Sequence, residues 1–190
     1  MESPKSKAEK ISQLYLAIIM RYKDLIEEKE RLSVAELPTL VTPKDSRVIM
    51  AVEQIKGQFS NYTYEENFIE AARKSFDFVK NGIEDITLPV QFWLTPADTL
   101  NFGIGDFIDK NILLCSMLIQ LGNPSSKVLV TIDSSMQAFV YFEYNKQFYL
   151  LDQKDGIREF GSKDLLYNSV LVDKDSTAYE FNNQTYSDIR

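Results

Sequence analysis

No histidine occurs among the 190 residues of this chain, and there is a single cysteine, Cys115. The first absence excludes a Cys-His catalytic pair, because no imidazole is there to take the proton from a thiol. The second excludes an internal disulfide and any zinc site built on several thiolates, and it suits a reducing compartment. Basic runs are missing as well. A formal net charge of -7 and a pI near 4.8 argue against attachment to phosphate backbones or anionic lipid, which need clustered Lys and Arg. Glycine-rich phosphate loops and Gly-x-Ser-x-Gly turns are absent, and Asp133, Asp152 and Asp155 lack metal-loop spacing. No nucleic-acid partner, metal or cofactor is therefore expected.

Long apolar runs are also lacking. Lys5, Lys7 and Lys10 precede an apolar stretch over 11–20, in the manner of a secretory leader, but Ser12 and Gln13 interrupt it and charge resumes at Arg21. Its longest unbroken part, 14–20, is far too short to span a bilayer. A cytoplasmic location is the expectation.

What is present is apolar material at regular spacing: 44% of the residues, enough for one substantial core. The expected organisation is an N-terminal amphipathic extension over 1–36, one domain over 37–175, and a C-terminal segment over 176–190 whose end, from 182, frays. Ile11, Tyr15, Ile18, Tyr22, Leu25 and Leu32 fall on one heptad seam, widened by Ile19 and Ile26, and predict a long helix over 7–32. The simpler expectation is that this stripe packs on the domain. The other is a helix for self-association or partner docking.

Two prolines make 37–43 an extended connector. Helices are then predicted over about 46–59 and 64–80, the second ended by Asn81-Gly82. Thr95-Pro96-Ala97-Asp98 reads as the first turn of a short helix. Asp106 caps a further helix that runs to 121 and stops at Gly122-Asn123-Pro124. From 112 to 121 only Ser116 and Gln120 are polar, which makes this the buried central helix and makes Cys115 within it a small core residue. Strands are predicted over 127–132, 137–144 and 147–151, the last two joined by a tight turn at Asn145-Lys146. Beyond Asp152 the pattern supports a helix over 163–167 and a strand near Leu171.

Gly105-Asp106-Phe107-Ile108-Asp109, then the apolar helix, then Gln137-Ala138-Phe139-Val140, then Phe148-Tyr149-Leu150-Leu151-Asp152 follow one another in an order that resembles the transglutaminase-like (papain-like) superfamily. That family reads Gly-Asp-Cys-x-Asp, an apolar helix, His-Ala-Trp-Val, and an aromatic-Tyr-x-Leu-Asp strand. The resemblance covers about residues 37 to 155. It implies an α+β, transglutaminase-like/papain-like fold in which N-terminal helices and a buried central helix pack on an antiparallel sheet.

Matched position by position, the family's thiol falls on Phe107, its base on Gln137 and its orienting acid on Asp152. A phenyl ring has no lone pair for attack, and a carboxamide has no usable proton affinity near neutral pH. The resemblance therefore implies a catalytically inactive domain that binds a protein or an extended peptide. The candidate cleft residues are Phe107, Gln137, Asp152, Trp93 and Asp109. Phe107 either plugs the cleft or floors it, and Trp93 either lines it or anchors packing. One alternative is a hydrolase working through Asp106, Asp109 and Asp152, although Asp106 and Asp109 in a first helical turn are more simply cap and dipole partners. The other is a structural subunit that forms a homo-oligomer through residues 7–32.

Overall fold

The computed structural model describes residues 7–29, 33, 36–87, 89–90, 92–171 and 177–189. The elements run α1 (Lys7–Arg21), α2 (Lys23–Lys29), α3 (Leu37–Leu40), α4 (Ser46–Lys56), α5 (Tyr64–Gly82), β1 (Glu84–Asp85), α6 (Pro96–Phe102), β2 (Ile104–Gly105) and α7 (Phe107–Gln120). They continue with β3 (Lys127–Ile132), β4 (Met136–Tyr144), β5 (Gln147–Asp152), β6 (Gly156–Phe160), α8 (Lys163–Val170), β7 (Thr177–Phe181) and β8 (Tyr186–Asp188). Helices come first and an antiparallel sheet follows, as the α+β expectation requires.

The sheet has six strands in the order β6-β5-β4-β3-β7-β8, each antiparallel to its neighbours. Alternation along each strand divides the side chains between two faces. Val128, Val130, Ala138, Val140, Phe142, Leu151 and Phe181 join the helical core, while Leu129, Phe139, Tyr141 and Leu150 meet Leu166 of α8 on the far side. Asn145 and Lys146, at φ 50° and 62°, make the tight β4–β5 turn.

α7 is the hub of the helical layer. Ile112, Leu113, Leu114, Cys115, Met117 and Leu118 are all fully buried, and each large apolar side chain among them contributes about 1.5–3 kcal/mol of transfer free energy. Both of its ends are fastened to β4: Asn111 Nδ2 donates to the Ala138 carbonyl at 3.1 Å, and Asn123 Nδ2 donates to the Glu143 carbonyl at 2.9 Å. At the C-terminus Gly122 has φ 110°, and a Cβ there would come within 3.1 Å of the Tyr64 ring, so only glycine fits.

Several elements differ from the sequence expectation, each for a physical reason. The single N-terminal helix is two, α1 and α2, separated at Tyr22, and Leu32 lies outside the described residues. The stripe does not pack on the domain: residues 9–22 are exposed without exception. The connector over 37–43 contains α3, because Pro38 is tolerated in a first helical turn, and Leu37, Leu40 and Val41 are buried. Gly82 lies within α5. Leu171 caps α8 and is not in a strand; the residues after it, 172–176, lie outside the described set. Residues 182–189 are held, not frayed. Asn182 is buried, donates to the Pro124 and Ser126 carbonyls, and starts the turn into β8. Among the described residues no helix is long and apolar enough to cross a membrane.

Candidate functional site

The site is built around the N-terminus of α7. Asp106 caps the helix: its Oδ1 accepts from the amides of Ile108 at 2.7 Å and Asp109 at 2.9 Å, and Asp109 Oδ2 accepts in return from the Asp106 amide at 3.0 Å. Glycine at 105 eases this approach, since a Cβ there would lie a tight 3.1 Å from Asp109 Cβ and 3.2 Å from Thr99 Cγ2.

The first turn of α7 also anchors the irregular segment that follows β1. Asp109 Oδ1 accepts from the Leu94 amide at 3.0 Å, and the buried Lys110 ammonium meets Asp85 at 2.7 Å. Parallel pairing of β1 with β2 holds the same segment from its other end. Asn111 Nδ2 bonds the Phe107 carbonyl at 2.6 Å as well as Ala138, so the helix start and β4 are one unit. These ties set Trp93 and Phe92 beside the start of α7.

The result is a cavity of about 490 Å³. It is lined by Phe107 and Ile108 at the start of α7, by Phe92 and Trp93, by Met136 at the start of β4, and by Lys23 and Glu27 of α2. Phe107, at 41% exposure, presents its ring to this space.

The other candidates are placed differently. Asp109 lies beneath the cleft, 2% exposed, with both oxygens used by backbone amides. Burial, and then the neighbouring Asp106 charge, push its carboxyl up to about 6 against the pull of those amides. Gln137 and Asp152 share a strand face: the β4–β5 register pairs Val140 with Leu151, so Asp152 falls one step further along, and Gln137 and Asp152 alternate away from Ala138 and Leu151. Asp152 accepts from the Lys154 amide at 2.8 Å and faces Arg158 at 3.8 Å. Neither Gln137, Asp152 nor Asp109 lines the cavity. The convergence of Asp109 and Asp152 on an open pocket, which a carboxylate hydrolase needs, is not found.

With this geometry, the chain is similar to two solved structures of LapG from Legionella pneumophila, both of which carry the transglutaminase-like fold. One aligns at a TM-score of 0.54 and 15% identity, covering 83% of this chain and 88% of LapG; the other, EGTA-treated, aligns at 0.54 and 15%, covering 84% and 87%. The fold is transglutaminase-like. No protein-family model and no curated protein matches the chain.

Cys115 is fully buried, and burial pushes its thiol far above the usual range. It lies about two turns into α7, away from the cavity. Sequence reasoning missed Phe92, Met136, Lys23 and Glu27 as cavity residues. The only signals were adjacency to Trp93 and Gln137 for the first two, and an i,i+4 charge pair, joined at 3.6 Å, for the last two.

Proposed function

We propose that this transglutaminase-like domain is catalytically inactive and works by binding, taking an extended peptide or a segment of a protein partner into the cavity at the start of α7. The observation that carries this reading is the exposed Phe107 ring on the cavity wall, at the helix N-terminus where a nucleophile would gain most from the dipole. Apolar neighbours, Trp93, Phe92 and Met136, extend that wall, and a concave, largely apolar site with a few polar groups at its edge suits recognition. The chain has no histidine to act as a base, and its one thiol is sealed in the core. A free thiol and an acidic surface fit a cytoplasmic protein.

Two measurements test the reading. The purified chain, incubated with a fluorescent amine and glutamine-containing acceptors, and separately with peptide substrates, gives no turnover; turnover that survives Cys115→Ala and is lost in Asp152→Ala sinks inactivity. Trp93 is the only tryptophan, so its emission reports the cavity directly. Peptides selected from a display library on the full chain shift that emission, and Phe107→Ser weakens them at least tenfold, about 1.4 kcal/mol. Selected peptides that leave Trp93 emission unmoved place recognition elsewhere.

A further inference from the structure

Charge around the cleft is of one sign. The stretch over 81–109, which supplies β1, β2, the segment between them and the start of α7, has no lysine or arginine and five carboxylates: Glu84, Asp85, Asp98, Asp106 and Asp109. The stretch over 128–145, which supplies Met136, repeats this: it has no basic residue and carries Asp133 and Glu143. Lys23 of α2 is the one basic side chain that lines the cavity among the described residues, and Glu27 faces it at 3.6 Å. Lys110 meets one oxygen of Asp85, whose side chain is still 86% exposed. No basic group pairs with Asp106 among the described residues; its Oδ1 carries the helix cap, and the Asp109 carboxylate lies beneath it.

The rings of the cleft also lack a cation. Elsewhere Phe59, Tyr62, Phe76 and Phe160 each have a lysine or arginine of this chain over the ring, 5.5 to 5.8 Å from its centre. Among the described residues Phe92, Trp93 and Phe107 have none, although Phe92 and Phe107 are each 41% exposed. An aromatic face carries negative charge density and attracts a cation, the more so beside carboxylates in a concave site.

We propose that the cleft takes an extended peptide through an arginine side chain, seated among these rings and the acidic rim, with apolar residues on either side of it. This rests on the binding role proposed above and names what is recognised. A guanidinium suits the site better than an ammonium. It is planar, stacks on aromatic faces, and is weakly hydrated, so it loses less on entering an apolar cavity while still presenting paired N–H donors to a carboxylate. A metal ion fits less well, because among the described residues no three of the acidic groups converge closely enough to share one. An acidic peptide meets the rim with like charge.

The test uses four capped peptides, acetyl-Gly-Leu-X-Leu-Gly-amide with arginine, citrulline, lysine or glutamate at X, titrated into the full chain while Trp93 emission is followed. Citrulline keeps the shape of arginine without its charge. The arginine peptide shifts the emission, binds at least about tenfold tighter than the citrulline peptide and about threefold tighter than the lysine peptide, and loses part of that advantage at high salt. The glutamate peptide does not bind. Asp106→Asn keeps the helix cap, since asparagine caps as well as aspartate, and weakens the arginine peptide at least about fivefold while leaving the citrulline peptide unchanged. Glu27→Gln, on a separate helix, gives the same result, and Asp77→Asn, exposed on α5, changes neither peptide. Equal affinity for the arginine and citrulline peptides, a tighter lysine peptide, or an arginine peptide that leaves Trp93 emission unmoved overturns the assignment. If peptides from the display library still move that emission, the cleft role stands without arginine; if none does, the cleft role falls as well.

Discussion

Two carboxylates on opposite sides of the central sheet are displaced in opposite directions. Asp109, below the cleft, is pushed up to about 6 by burial and by the Asp106 charge. Glu180, on the far face, is also pushed up by burial, but the Lys127 ammonium and the Tyr141 and Tyr167 hydroxyls outweigh it and hold the group down at about 2. Lys163 adds a second ammonium at 3.1 Å beside Lys127 at 2.6 Å. Glu180 is 3% exposed and fully supplied with donors. A strongly displaced ionisation in a protein is often taken as the mark of a working site. Here the more saturated cluster is a clasp that ties β7 to β3, β4 and α8, while the cleft wall is largely apolar.

Removing the clasp is the largest expected perturbation. Glu180→Ala leaves two partly exposed ammoniums and two hydroxyls without their acceptor, and is expected to cost about 3 kcal/mol in urea unfolding at neutral pH. Because the folded carboxyl is depressed from 4.5 to about 2, its stabilisation is present above 4.5 and disappears as pH falls through that window. The gap between wild type and variant should therefore close toward pH 2. A cost below about 1 kcal/mol would reduce the clasp to an ordinary surface pair.

Asp109 should behave in the reverse sense. Its folded carboxyl is raised from 3.8 to about 6, so the folded state binds more protons between those values and its stability falls as pH rises through them. Asp109→Asn removes this slope. It also leaves one of the two amides, Leu94 or Asp106, facing an NH₂ group, at a cost of about 1–3 kcal/mol. The difference between wild type and variant should be largest below pH 3.8 and shrink toward pH 6. A difference that grows over that range would mean the group is stabilised as an anion, and the contrast with Glu180 would fail.

The same contrast explains what the sequence could reveal. α7 was legible because its cap, its apolar run and its stop glycine agree, and β3 to β5 because each alternates cleanly. β7 was not: Thr177–Phe181 carries Glu180 on a buried position, and an inward carboxylate reads as a surface residue until its lysines and tyrosines, 13 to 53 residues away, are seen to meet it. β6 is an edge strand with no buried residue to mark it. At the site, local pattern placed Asp106, Phe107 and Asp109 on the helix start, but which of them faces the cavity depends on the Leu94 amide and on α2, neither adjacent in sequence. The seam of α1 was visible as a stripe. Periodicity shows that a face is apolar and not what lies against it.

The smallest expected change in stability tests the cleft itself. Phe107 is 41% exposed, and Phe107→Ala should cost no more than about 1 kcal/mol, against 3–5 kcal/mol for a phenylalanine held in a core. A loss in the core range would make the ring a plug that seals the helix start, with no room for an occupant. If the loss is small, the ring is surface kept apolar where exposure is unfavourable, and its use is recognition. The two sides of the sheet then separate completely: Phe107→Ala weakens the peptides at least tenfold, read from Trp93 emission, and hardly moves the urea midpoint, whereas Glu180→Ala moves the midpoint and, while folded, binds the same peptides with unchanged affinity. Peptide binding lost equally in both variants would mean that the cleft is held open by the clasp across the sheet, and the two regions would be one device.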